Sequence, residues 1–321
     1  MTIRQRLAVG LVLLSCLEQA GVCGPPRYTI RRVTRSTAPK IDGRLEDAAW
    51  ESAASMGPFQ FAWWKQGKKE QTDARMVWDD QNLYVAYRCR DAHVWAVFTK
   101  HDEPVYMDDC VELFTSPHVD HRENYFNIEM NVNGAILDRH HPEGPGKKPP
   151  TNWNSRGIRI ATRVDGTLND DSDVDRCWVL EVAIPFANFQ AVARHTPPRN
   201  GDVWYLNLNR CGGMTNPQYS QWSKGGTKTP KFHVPRYFGR VKFSTRLVSV
   251  VKKTTSHSRR IFRQLGLAAS AGRRVGVGDQ AVVSQQRLRA GFTTPEVAEH
   301  VHRVSSASTG QHRVTKLPTG R

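Results

Sequence analysis

The chain has 321 residues, 39% of them hydrophobic and nine of them Trp, enough apolar material for one large domain and too much for global disorder. No apolar run approaches the roughly 20 residues that a membrane-spanning helix needs. A formal net charge of +16 would ordinarily suggest an anionic partner. Its location argues otherwise: residues 246–321 hold 14 Lys and Arg against three acids and no Trp or Tyr, leaving the remainder at only +5.

Residues 1–24 read as a leader. Arg4 and Arg6 precede an apolar run from Leu7 to Leu14, then small and polar residues, which is the pattern of a secretory signal. Leu13-Leu14-Ser15-Cys16 resembles a bacterial lipobox, so either a lipid anchor at Cys16 or ordinary cleavage near residues 20–24 fits. The expected place is outside the cytoplasm: extracellular, periplasmic or at the outer surface of a bacterial cell. Beyond the leader lie Cys89, Cys110, Cys177 and Cys211. Four cysteines allow three pairings, and buried free thiols are the equal alternative.

Between residues 28 and 245 the hydrophobic period is two. Ala74, Met76 and Trp78 share one face and Leu83, Val85, Tyr87 and Cys89 another, with Asp79–Asn82 as the hairpin turn. Phe126, Ile128, Met130 and Val132 alternate with Tyr125, Asn127, Glu129 and Asn131, and Asn133-Gly134 turns the chain. Further strands follow at Ile158–Val164, Trp178–Ile184 and Trp204–Leu208. Helix is confined to Leu45–Ala53 and Phe186–Val192, two turns each at most. Eight to ten strands with one apolar face each predict an all-β, antiparallel β-sandwich. Residues 246–321 are Ser-, Arg- and Gly-rich and predict a disordered basic tail, either a solvated extension or an arm for an anionic surface. Nucleic-acid binding would rest on that tail alone, without a motif, and is not expected.

Two long Gly/Pro-rich loops, His140–Trp153 and Cys211–Pro235, break the rhythm, and each carries a Trp. Loops on a rigid sandwich are where binding chemistry concentrates.

A series of short motifs, in order, resembles family 9 of the carbohydrate-binding modules. They are Ile41-Asp42-Gly43 with Asp47–Trp50, Val77–Asp80 with Asn82–Val85, Asp108–Phe114, Asn133-Gly134, Trp178–Phe186, Gly201–Trp204 with Asn207–Arg210, and Phe238–Phe243. The resemblance spans residues 38–243. It implies a DOMON-like jelly-roll sandwich that binds polysaccharide or oligosaccharide without cleaving it, in secreted systems that break down polysaccharide. It further implies a sugar clamped between two Trp rings and structural calcium.

A sugar face packs its C–H groups on an aromatic ring while its hydroxyls meet polar neighbours. Trp50, Trp78, Trp178 and Trp204 fall in the apolar phase and read as core. Trp153 and Trp222, on the loops, are the expected platforms, with Trp95 and the pair Trp63-Trp64 behind them. Arg210 continues the inward phase of Trp204, Leu206 and Leu208. It either pairs with a buried acid, Glu112 or Glu181, or reaches the rim to hydrogen-bond vicinal hydroxyls. Glu129 and Asn131 could face the same rim or lie on a solvated sheet face. Asp91, Asp102, Asp108 and Asp109 offer hard oxygen ligands for Ca²⁺, although no EF-hand spacing is present. Two alternatives stand beside sugar binding. One is a glycosidase with an unidentified carboxylate pair. The other is a haem module of the same superfold, with Met107 and His101 or Met130 and His140 as axial ligands.

Overall fold

The structure, a computed structural model, describes residues 24–146 and 150–249. Chain contacts divide the protein into one unit ending at Val251 and a second from Lys252 to Arg321. All described residues belong to the first. The expected leader up to Cys23 and the tail from residue 250 onward lie outside the described residues.

Among the described residues there are eleven strands and one short α-helix: β1 (Arg27–Arg32), α1 (Ala48–Ser52), β2 (Thr72–Trp78), β3 (Asn82–Arg90), β4 (Asp109–Ser116), β5 (Tyr125–Asn131), β6 (Ile136–His141), β7 (Arg159–Asp165), β8 (Cys177–Pro185), β9 (Val203–Gly212), β10 (Tyr219–Gln221) and β11 (Gly239–Leu247). They hydrogen-bond in the order β6-β5-β4-β9-β11-β1-β2-β3-β8-β7, with β10 added to β9. This mixed sheet curls so that both halves apply their inner faces to one core, as a jelly-roll type sandwich does. Val111, Leu113, Phe126, Ile128, Leu206 and Leu208 from one half meet Met76, Trp78, Val85, Tyr87, Leu180 and Val182 from the other. Tyr87 ties the layers together, its hydroxyl donating to the Glu112 carbonyl across 3.1 Å.

The strand residues and phases follow the sequence alternation. The pairing departs from it at one place: β1 runs parallel to both β11 and β2. Each half is antiparallel internally. The parallel seam arises where the last strand lies down beside the first, a matter of topology that residue periodicity does not record. Helix is shorter than expected, five residues in α1 and a 3₁₀ turn at Phe186–Phe189. At the C-terminal boundary β11 continues to Leu247, and Val248 is buried in a second apolar cluster with Val33, Trp50, Val77 and Tyr84.

The family-like motifs have structural work. The Glu181 carboxylate on β8 accepts the backbone N–H groups of Asp42, Gly43 and Arg44 at 3.1, 2.7 and 3.1 Å on one oxygen. Its other oxygen accepts the Trp50 indole N–H at 2.6 Å. Burial raises the pKa of this carboxyl, opposed by those donors. Gly43 is required there: its φ is +78°, and a Cβ would lie 2.8 Å from the Thr162 carbonyl oxygen. Asp79 likewise closes the β2–β3 turn, accepting from the N–H groups of Gln81 and Asn82 and from the Tyr84 hydroxyl, each at 2.7 Å. Among the described residues no helix is long and apolar enough to cross a membrane.

Candidate carbohydrate site

Side chains alternate across a strand, so residues out of phase with the core line the opposite face of β4, β5 and β9. That phase reads Cys110, Glu112, Phe114 and Ser116 on β4, Tyr125, Asn127, Glu129 and Asn131 on β5, and Tyr205, Asn207, Asn209 and Cys211 on β9. It contains no Lys or Arg. A solvated face looks different: β11 presents Arg240 and Lys242 outward, both exposed.

Strand register turns this phase into rows. Glu129 lies opposite Glu112, Glu112 opposite Asn209, and Asn209 opposite Gln221 of β10. The next row holds Arg139, Asn127, Phe114 and Asn207. Glu112 and Glu129 are only 2% and 4% exposed, Asn209 0% and Gln221 2%. Buried polar groups need partners, and amides supply several. Asn127 Nδ2 donates to Glu129 Oε1 at 2.9 Å, and Asn209 Nδ2 to Glu112 Oε2 at 3.2 Å. The Cys211 thiol lies 3.4 Å from Glu112 Oε1. Asn207 is held by Gln221 and Ser223. Asn209 Oδ1 and Gln221 Nε2 have no hydrogen-bond partner despite burial.

Aromatic rings surround this polar floor. Trp63, Phe98, Tyr106, Tyr205 and Tyr219 are all half-buried and pack on the apolar cluster of the same face, with Phe114, Tyr125, Phe232 and Phe238 beneath them. Trp63 is fixed by its indole N–H, which donates to the Thr227 carbonyl at 2.8 Å, and its ring lies 5.7 Å from Phe232. Toward the β5–β6 edge, His141 stacks flat on Tyr125 at 4.4 Å. The Tyr125 hydroxyl meets His233 Nδ1 at 2.8 Å, and His141 Nε2 meets Asn127 Oδ1 at 2.8 Å. A polar floor with half-exposed rings at its edge can take a ligand that is hydroxylated around its rim and apolar on its faces.

The structure redistributes the expected site residues. Glu129 is in the floor. Asn131, on the same face, is wholly buried; its amide donates to the Phe98 carbonyl and the Asp108 carboxylate, and it accepts from Ala135 N–H. Trp222 is corrected: it is 4% exposed, belongs to the main core, and its indole N–H donates to the Met56 carbonyl at 2.9 Å. Trp153 is half-buried against the inner side, its ring 4.8 Å from Phe126 and 6.3 Å from Phe189. The two loop tryptophans close the sandwich and do not face one another across the polar floor. Of the second pair, Trp63 reaches the site, while Trp64 is exposed under Lys69.

Arg210 is also corrected, as a buried counter-ion rather than a rim residue. Its partner is neither Glu112 nor Glu181. Its guanidinium meets Asp91 at 2.7 Å, with Glu70 at 3.7 Å and Asp109 at 3.8 Å, and it donates to the carbonyls of Glu70 and Arg90. Burial and then the Asp91 charge drive the Asp109 carboxyl well above its ordinary pKa, against the pull of Arg210. Burial and the same Asp91 charge raise Glu70. The half-buried Trp95 adjoins this cluster, its backbone N–H donating to Asp109 at 2.8 Å.

The four aspartates do not form a common cation site. Asp91 and Asp109 serve Arg210, and Asp108 accepts from Phe98 N–H and Asn131. Among the described residues, Asp102 is the one of the four that joins a group of side chains close enough to share a cation, with His101 and the buried Asp138. Asp102 also pairs with Arg139, and Asp138 accepts twice from Ser155. The residues present therefore do not fit calcium at the expected set. Cys89, Cys110, Cys177 and Cys211 are not joined in disulfides. Of the haem candidates, Met130 is enclosed in the core and His140 stacks on Phe126.

A curled β-sandwich that bears a buried amide-and-carboxylate floor ringed by half-exposed aromatics has the make-up of a carbohydrate-binding module. The family model for carbohydrate-binding family 9 matches residues 44–243, and the chain belongs to that family. Its fold is similar to that of a proposed carbohydrate-binding protein from Bacteroides uniformis, at 22% identity and a TM-score of 0.56, over 69% of this chain and all of that one. Two structures of a family 9 module from Caldicellulosiruptor kristjanssonii also match. The complex with cellotriose has 15% identity and a TM-score of 0.49, over 70% of this chain and 97% of that one. The complex with glucose has 15% identity and a TM-score of 0.47, over 68% and 96%. No curated protein sequence matches significantly.

Proposed function

We propose that the protein binds carbohydrate on the outer face of β4, β5, β9 and β10, without cleaving it. The observation that carries this reading is the convergence on one face of Glu112, Glu129, Asn127, Asn207, Asn209 and Gln221 beneath half-buried Trp63, Tyr106 and Tyr219. Two of these polar groups, Asn209 Oδ1 and Gln221 Nε2, are desolvated without a partner, a state that a ligand hydroxyl relieves. The leader-like residues 1–24 support export, and the family supports a role in polysaccharide breakdown.

Glu112 and Glu129 make a carboxylate pair, which raises the glycosidase alternative. Their geometry favours binding. As opposed residues on adjacent strands they project side by side from one surface, whereas glycosidase carboxylates flank the scissile bond from two sides.

Calorimetry against a panel of soluble oligosaccharides, combined with Trp63→Ala, tests the reading. Loss of one stacking ring is expected to weaken binding by about tenfold, with Trp153→Ala unaffected and no reducing ends released. Unchanged affinity in Trp63→Ala and loss in Trp153→Ala would place the site elsewhere.

A further inference from the structure

The positive charge outside the tail is gathered beside the site. Residues 57–69 and 222–235 carry six Lys and no Asp or Glu. Lys65, Lys68 and Lys69 on the first segment and Lys224, Lys228 and Lys231 on the second are all exposed. Surface cations elsewhere meet acids, as Arg32 meets Asp80, Arg75 meets Asp73 and Arg176 meets Asp165. Among the described residues, none of the six ammonium groups is in an ion pair. Glu70, next in the chain, turns inward to Arg210 and the Ala92 N–H, and Lys69 lies 4.6 Å over the exposed Trp64 ring instead. Contacts tie both segments to one end of the polar floor. Gln60 and Gln221 exchange backbone hydrogen bonds of 2.7 and 3.1 Å, and the Trp63 indole holds the Thr227 carbonyl. A Cβ on Gly225 would lie 2.9 Å from Gln221 Nε2 and 3.5 Å from Trp63 Cζ2. Gln221 ends the row that runs through Asn209 to Glu112, two strands and roughly 10 Å away. The lysines thus flank the end of the floor away from the glutamates, and there Gln221 Nε2 is a buried donor without a partner.

We propose that the site takes an acidic polysaccharide, with a carboxylate or sulfate of the sugar held at the β10 end among these lysines and Gln221 Nε2. Such an anion accepts hydrogen bonds and donates none, which matches an end of the site built of ammonium and amide donors. A neutral sugar could satisfy the amide but would leave six ammonium groups gathered without a counter-ion, a like-charge arrangement that the rest of the surface avoids. This inference rests on the carbohydrate reading above and adds the class of sugar.

The test is calorimetry on the full chain, at about 50 mM and about 500 mM salt, with three β-1,4-linked tetramers: glucose, glucuronate and glucose 6-sulfate. At least one acidic tetramer is expected to bind about tenfold tighter than glucose at low salt, with the margin shrinking at high salt. The uronate and sulfate arms show which anion is taken. Lys65→Gln/Lys68→Gln/Lys69→Gln and Lys224→Gln/Lys228→Gln/Lys231→Gln, with folding checked by thermal melting, should lose most of that margin in one or both. Lys252→Gln/Lys253→Gln/Arg259→Gln, which removes as much charge from the basic tail, should keep it. Equal or tighter binding of the glucose tetramer overturns the acidic assignment and leaves sugar binding standing. So does a margin that survives in both folded loop variants, or one that falls equally in the tail variant. Single-stranded DNA that binds as tightly as the acidic tetramers and responds to the same variants would overturn it in favour of nucleic acid. If no tetramer binds, the same contrast is read from a panel of glycan pairs differing only in their acidic groups, and failure of that whole panel overturns the carbohydrate reading itself.

Discussion

Replacing Trp222 by Ala separates a structural tryptophan from a binding one. The Trp222 ring is in the main core, and its indole N–H holds the Met56 carbonyl at 2.9 Å. Truncating a buried Trp costs about 3–5 kcal/mol. For a domain of this size each kcal/mol lowers the melting temperature by about 2–4 °C, so the drop should be about 6–20 °C. Gly239 supplies the internal control. A Cβ there would lie 2.3 Å from Trp222 Cζ3 and 2.7 Å from Cη2, closer than packed atoms approach. Gly239→Ala should therefore cost about 1–3 kcal/mol through overpacking. Once the ring is gone, the nearest remaining obstacle is the Pro26 carbonyl oxygen at 3.0 Å. The double variant should then be less destabilised than the two single costs combined, by about 1 kcal/mol of coupling. Chemical denaturation of the four proteins measures this cycle. A Trp222→Ala protein that melts like the parent yet loses sugar binding would refute the core assignment.

The buried ion cluster yields two further expectations. Arg210→Met leaves Glu70, Asp91 and Asp109 without their cation and should cost about 3–5 kcal/mol in denaturant titrations at pH 7; a loss below 1 kcal/mol would contradict the pairing. Because the Asp109 and Glu70 carboxyls titrate above their ordinary range when folded, the folded state holds protons that the unfolded chain has released. The stability they contribute is present in full below the unfolded pKa values and is lost as pH rises through the folded ones. Asp109→Asn, which mimics the protonated form, should gain stability relative to the parent between pH 5 and pH 8, and a relative loss over that interval would reverse the sign of the argument.

The fold was legible in the sequence because its strongest signals are local. Period-two runs such as Leu83–Cys89 specify a face, and the Ile41-Asp42-Gly43 and Asp79–Tyr84 motifs exist to satisfy backbone groups and turns. The parallel seam at β1 was not legible, since no residue property distinguishes which neighbour an end strand acquires. The site was half legible. Glu129 falls in the outward phase, but an isolated Glu on such a phase reads equally as solvated surface. The sharper signal is the company it keeps: Asn127, Asn207 and Asn209 with Glu112, and no Lys, where a wet sheet face carries residues like Lys242. Loop position misled for Trp222 and Trp153. A long loop can fold its tryptophan inward to close the sandwich, and only the three-dimensional course of Cys211–Pro235 shows that Trp63, from another loop, takes the outer face.

The central claim is that sugar binds on the outer face of β4, β5, β9 and β10. Nuclear magnetic resonance of the tryptophan indole N–H signals during oligosaccharide titration tests it most directly, because each ring reports its own surroundings. The account predicts a saturable shift of the Trp63 indole and of the Asn209 and Gln221 side-chain amides, with Trp153 and Trp222 still. Shifts confined to Trp153 and Trp222, with the Trp63, Asn209 and Gln221 signals unmoved at saturation, would contradict it.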